Sequence, residues 1–159
     1  MESANRARGN RRWGTAWVLL TASLAVHVLD EAVNDFLSFY NPSVLSIRAS
    51  FPWLLFPVFR FSTWLGLLIF AAVALLLLSV LVFRGKWGMK PVVYIYGWLM
   101  VANVLLHFSA SLWYGQLLAG VWSSPLLLAC SLYLLKSVPR QESLTSLAVR
   151  GTSPTGCKV

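Results

Sequence analysis

Between Ser62 and Phe83 the chain runs for 22 residues, STWLGLLIFAAVALLLLSVLVF, without one charged side chain. A helix of ~20 apolar residues spans the hydrocarbon core of a bilayer. In lipid the backbone has no water to bond, so a spanning segment must satisfy its own N–H and C=O groups, and a single segment can do so only as a helix. The rest of the sequence is therefore read around a membrane span.

Composition extends that reading to the whole chain. Hydrophobic residues make up 58% and charged residues 11% of the 159, against roughly 45–50% apolar in an ordinary soluble domain. Residues 13–38 and 91–114 give two further spans and residues 117–138 a fourth, in which Ser123-Ser124-Pro125 has the form of a helix start inside the run. Asn41-Pro42 is the natural stop of the first helix, since proline disfavours helix in the residue before it. The segment 41–61, broken by Pro42, Pro52 and Pro57, is too interrupted to span and too apolar for water, so it is expected as an outer interfacial loop. Ser62 or Thr63 is the expected N-cap of the second span. The predicted fold is an all-α integral membrane four-helix bundle, preceded by a basic cytoplasmic arm at 1–12 and followed by a disordered cytoplasmic tail at 139–159.

The net charge of +8 does not indicate nucleic acid, because the basic residues flank spans instead of forming one face. Arg6, Arg8, Arg11 and Arg12 precede the first span, Arg84, Lys86 and Lys90 follow the second, and Lys136, Arg140, Arg150 and Lys158 flank or follow the last. Only Arg48 and Arg60 fall on the other side, which puts both termini in the cytoplasm and makes membrane lipids the implied partner. Tryptophan agrees: Trp13 and Trp87 sit at the inner boundary, and Trp53, Trp64, Trp113 and Trp122 at the outer one. The first run lacks a clear cleavage site, so it is read as a span and not as a signal peptide. Cys130 and Cys157 stand in environments too different for a disulfide, and Cys157 lies too close to the end for a prenylation signal.

Against this apolar background two polar stripes stand out. His27, Asp30, Glu31 and Asn34 share one face of the first helix, and Asn103, His107 and Ser111 share one face of the third. At ~1.5 Å per residue, His27 lies ~21 Å and Glu31 ~27 Å above Trp13, and His107 ~24 Å above Pro91, so the stripes are level and are expected to face each other. Acids at this depth cost free energy, and those near a helix C-terminus cost more because the macrodipole disfavours negative charge there. A positive partner is required, and three are open. Arg48 or Arg60 could pair with the acids; zinc or iron could be held by His27, Glu31 and His107, with Asn34, Asn103 and Ser111 in support; or the carboxyl groups could carry protons. The metal reading makes Glu31 or Asp30 the group that activates a water, as in a metal-dependent, lipid-directed hydrolase. In a non-catalytic binding or scaffold protein the same polar cluster would only lock the first and third helices together.

The sequence His27-Val-Leu-Asp30-Glu31 resembles the signature of the HXXEE-domain family, small bacterial membrane proteins named for a His-x-x-Glu-Glu motif in an early helix. Asn103-x-x-x-His107, the turn at Gly115 and the last apolar helix resemble the second half of that family, and the similarity covers about residues 15–137. Asp30 stands where the family has its first glutamate. The resemblance implies a bacterial inner-membrane protein with these residues grouped, and no particular reaction.

The charge distribution generates a topological prediction. Reporter tags at residue 2, in the 84–90 turn and after residue 150 should all read cytoplasmic, and a tag at Ser46 external. A single tag on the wrong side would remove the common depth of the two stripes.

Overall fold

The computed structural model describes residues 2–86 and 88–138, and within them the chain forms five helices and no strand. Trp87 and the expected tail at 139–159 lie outside the described residues. Three helices are long and apolar enough to cross a membrane, where four had been expected.

The first, α1 (Glu2–Val33), begins inside the basic arm, which is not a separate segment. At 32 residues it is ~48 Å long and so overshoots a hydrocarbon layer of ~30 Å. Its buried positions Trp13, Trp17, Leu20, Leu24, His27, Val28 and Glu31 recur at helical spacing and make one stripe. That stripe packs against α3 (Phe61–Phe83) on one side and α5 (Ser124–Ser137) on the other, while α5 also packs on α4 (Met89–Tyr114). Trp17 joins the layers. Its indole Nε1–H donates to the Leu75 carbonyl of α3 at 2.7 Å, and its ring lies 4.9 Å from that of Tyr96 in α4.

The first break does not fall at Asn41-Pro42. The Asn34 amide folds back on its own helix, donating to the Asp30 carbonyl at 2.9 Å and to Asp30 Oδ1 at 2.7 Å. Asp35 then turns left-handed at φ 51°, a conformation that aspartate accepts more readily than most side chains. Helix α2 (Phe36–Ser50) follows and runs through Pro42. Proline deprives the Ser38 carbonyl of its intrahelical donor, but Ser38 and Pro42 are both exposed, so that group is not sealed off unpaired. The non-helical part of the expected outer loop is thus only residues 51–60. It is tied back by Asn41, which bonds both the N–H (3.0 Å) and the C=O (2.9 Å) of Phe59. Helix α3 starts a residue before the expected cap, with Arg60 in the N-cap position.

The second correction concerns residues 117–138. Only Ser124–Ser137 is helical, ~21 Å long and too short to cross alone. Gly115 ends α4 at φ 65°, and the chain from 116 to 123 returns towards the bundle as irregular backbone. Ser111 fastens it, its Oγ accepting the Leu118 N–H at 3.0 Å. Irregular backbone at membrane depth is tolerated where protein buries it, and Gly120, Val121 and Ser123 are buried. The expected helix start at Ser123-Ser124-Pro125 is present, with Ser123 as N-cap.

Small residues let α5 sit close to its neighbours. Buried Ser124 and Ser131 bond back to the carbonyls of Gly120 and Leu127, and Gly97 of α4 faces Leu135 so closely that a Cβ there would lie 2.7 Å from Leu135 Cδ2. Gly97→Val should therefore destabilise the folded protein by about 1–3 kcal/mol, the usual effect of overpacking. A thermal melt of the detergent-solubilised variant matching wild type would contradict the close approach of α4 and α5.

Candidate metal centre

The two polar stripes meet. Glu31 Oε1 lies 3.0 Å from His107 Nε2 and 3.6 Å from His27 Nε2, and all three residues are buried. The imidazole rings stand edge to face at 90°, with centroids 4.9 Å apart. One ligand atom from each residue falls within 4.8 Å of the others, a grouping that could hold a metal ion.

Hydrogen bonds set the rings. His107 Nδ1 is 2.8 Å from the Ala119 carbonyl, which can only accept, so Nδ1 carries a proton and Nε2 is the atom turned to Glu31. His27 Nδ1 is 2.8 Å from Ser123 Oγ, and that hydroxyl is 2.7 Å from Asp30 Oδ2. A hydroxyl has one proton and the carboxylate is its strongest acceptor, so the network assigns the serine proton to Asp30 and a proton on His27 Nδ1 to the serine oxygen. Both Nε2 atoms then stand on the side of Glu31 Oε1, at 3.6 Å for His27 and 3.0 Å for His107. The Asn103 amide nitrogen lies 2.9 Å from His27 Nε2, donates to it, and ties α4 to α1 there.

Glu31 Oε1 and His107 Nε2 at 3.0 Å call for a proton or a cation between them. Donors bound at 2.0–2.2 Å to a tetrahedral ion stand about 3.4 Å apart. The observed separations of 3.0 and 3.6 Å straddle that value.

Asp30 has a different place from the one expected of a water-activating group. Its Oδ2 accepts both the backbone N–H of Ser123 at 3.0 Å and the serine hydroxyl, and its Oδ1 accepts from Asn34. Both oxygens are engaged away from the His–Glu–His point. The acid instead faces the N-terminus of α5, whose positive end offsets its charge. Arg48 and Arg60, the alternative ion-pair partners, are exposed and pair with none of the described acids. Asn34 supports Asp30, Asn103 supports His27, and Ser111 serves the return segment instead of the cluster.

Sequence reasoning missed the contribution of the return segment. Ala119 and Ser123 orient the two rings, and Gly120 makes room for them. Gly120 has φ 85°, and a Cβ there would lie 2.6 Å from His107 Cε1 and 3.0 Å from His27 Cε1. The only signal for any of this was the helix start at Ser123. A glycine in an apolar loop gives no sign of lying against two imidazoles that are 13 and 93 residues distant in sequence.

No family model matches the chain, and neither a curated protein nor a solved structure is significantly similar to it. Among the described residues, fold and site together define an all-helical protein with three helices long and apolar enough to cross a membrane. It carries a buried His–Glu–His group that could hold a metal.

Gly120→Ala should disrupt the group twice over, through the left-handed backbone and through the clash with both rings. The backbone strain alone is about 1–2 kcal/mol. A lowered melting temperature is expected together with changed histidine ring resonances in NMR of labelled protein. Ring resonances identical to wild type would refute the packing of Gly120 on the two rings.

Proposed function

We infer that this chain is an integral membrane protein of the HXXEE-domain type, in which His27, Glu31 and His107 hold a zinc or iron ion for hydrolytic chemistry on a lipid. The observation that carries this reading is the way both histidines are held. Each ring has its Nδ1 engaged by an oxygen of the return segment and turns Nε2 to the shared carboxylate. Metal-ligating histidines are oriented by such outer partners, which fix tautomer and ring direction. A proton shared between Glu31 and His107 would relieve only one of the two close approaches, whereas an ion accommodates both.

Two imidazoles and one carboxylate leave a coordination position open, the arrangement of catalytic zinc sites and of non-haem iron centres. An ion held there supplies Lewis acidity and makes a water at the open position far more acidic than bulk water. Glu31 turns Oε1 to both histidines, which leaves Oε2 to take a proton from such a water. Asp30 acts at one remove, holding Ser123 against His27.

The charge pattern supports both termini inside, and the resemblance to the HXXEE-domain family supports a bacterial inner membrane. The geometry of α5 is compatible with that topology. The Arg12 guanidinium lies 5.8 Å from the centre of the Tyr133 ring, so the end of α5 lies beside the start of the apolar part of α1, and Ser123 at its other end lies at His27. In that topology the short helix would cover the depth between the site and the inner face, and the return segment would supply the outer part of a fourth crossing.

A second reading has its own support. Asn103 occupies the His27 lone pair that an ion would take, and this contact joins α1 to α4 with no metal. Elemental analysis separates the two. Protein purified in mild detergent without chelator should carry about one ion per chain, and His27→Ala and His107→Ala should each lower that by at least about tenfold. Wild-type protein without metal after incubation with zinc or ferrous iron would leave the helix lock as the function of the cluster.

A further inference from the structure

Helices α1 and α5 run antiparallel, with Ser123 beside His27 at one end of the contact and Tyr133 beside Arg12 at the other. At that second end, cytoplasmic in the topology inferred above, the Arg12 guanidinium lies 5.8 Å from the centre of the Tyr133 ring, within cation–π range. Arg8 stands four residues before Arg12 and Lys136 three residues after Tyr133, so each shares the face of its neighbour. Three cations therefore gather on one flank of the bundle. All three are exposed, and none pairs with a carboxylate among the described residues. Asp30 and Glu31 begin ~27 Å further along α1 from Arg12, and Glu2, six residues before Arg8, falls off a face that recurs every three or four residues. Like charges at such spacing repel, and an anion seated among them removes the repulsion.

The surface that continues from the cations decides the kind of anion. The face of α1 that carries Arg8 and Arg12 goes on through Leu19 and Val26, seven and fourteen residues beyond Arg12. The face of α5 that carries Lys136 and Tyr133 includes Leu126, seven residues before Tyr133. These three apolar side chains are exposed. The flank thus has a cationic end and an apolar length of ~21 Å. A nucleic acid or a free phosphate matches only the cationic end, whereas an anionic phospholipid matches both.

We propose that Arg8, Arg12 and Lys136, with the Tyr133 hydroxyl as a fourth donor, seat the phosphate of one anionic phospholipid of the bilayer. Its acyl chains lie along Leu19, Val26 and Leu126. The site rests on the membrane placement of the helices inferred above and not on the metal.

Native mass spectrometry of the detergent-purified protein tests the proposal, with dioleoyl phosphatidylglycerol and dioleoyl phosphatidylcholine as probes. Wild-type protein should bind one phosphatidylglycerol about tenfold more tightly than phosphatidylcholine. Arg12→Gln combined with Lys136→Gln should weaken phosphatidylglycerol by at least about tenfold and leave phosphatidylcholine unchanged. Arg84→Gln combined with Lys86→Gln removes the same charge from the turn that packs Gly85 on Asn10, on another side of α1, and should leave phosphatidylglycerol binding within about twofold of wild type. Equal affinity of wild-type protein for the two lipids overturns the proposal, and so does equal loss in the two charge-matched variants, which would mean a diffuse positive field. Equal binding of glycerophosphoglycerol, the same head group without chains, removes the role of the apolar flank and overturns it as well. A short DNA duplex that displaces phosphatidylglycerol and loses its own binding in the Arg12 and Lys136 variant would assign the cations to nucleic acid instead. All four substituted positions are exposed, so unchanged melting temperatures are expected, and the lipid preference of wild-type protein decides even if a variant fails to fold. Metal content measured on the same samples keeps the two inferences apart: phosphatidylglycerol preference without metal defeats the metal centre alone, and metal without that preference defeats the phospholipid site alone.

Discussion

The contact on which the other features of the site depend is that between the Asp30 carboxylate and the N-terminus of α5. An acid near the C-terminal end of a buried helix lies in the unfavourable half of the helix field, and lipid offers no water to solvate it. The start of another helix offers unpaired N–H groups and the positive end of a dipole. Placing Ser123 on Asp30 therefore satisfies both ends at once, through the backbone N–H and the hydroxyl. The rest follows by chain connectivity. Because α5 must begin at the depth of Asp30, the eight residues between Gly115 and Ser124 have to return into the bundle, and this brings Ala119 and Gly120 against the imidazoles.

Much of this was legible in the sequence, because periodicity and hydropathy are properties of a segment. The all-helical character, the α3 and α4 spans and the facing of His27 and Glu31 towards His107 follow from spacing and depth alone. The breaks were less legible, since each depends on a partner elsewhere. Asn41-Pro42 carries the local signature of a stop, yet the helix stops at Asn34-Asp35, where the Asn34 amide finds the Asp30 carbonyl and carboxylate. The fourth span reads as one apolar run because hydropathy cannot distinguish a residue that faces lipid in a helix from one buried in irregular backbone. Val121, buried in the return segment, is apolar for the second reason.

Helix geometry also explains why Asp30 and Glu31 take different partners. Adjacent residues on a helix point about 100° apart, so two acids in sequence cannot both face one point. Glu31 shares its face with His27 at i, i+4 and turns to α4, whereas Asp30 turns to α5. The motif thus addresses two neighbours of α1, one through each acid, and the histidine lies between them: His27 reaches Ser123 through Nδ1 and Glu31 through Nε2.

Charge balance bears on what the centre holds, protons or an ion. With both histidines neutral, Glu31 and Asp30 together bring two negative charges into a region with no described arginine or lysine paired to them. One proton on His107 leaves the group at minus one, and a second proton or, in place of both, a divalent cation brings it to zero. Only Glu31 would touch the ion, and Asp30 would act through Ser123 and His27, its negative charge favouring the charged site along a chain of hydrogen bonds of 2.7 and 2.8 Å. Uncompensated charge is expensive at membrane depth, so a centre placed there favours an arrangement with no residual charge, whether protons or an ion supply it. An aspartate at position 30 suits this role, because its shorter side chain stays beside its own helix, where the N–H of Ser123 meets it at 3.0 Å.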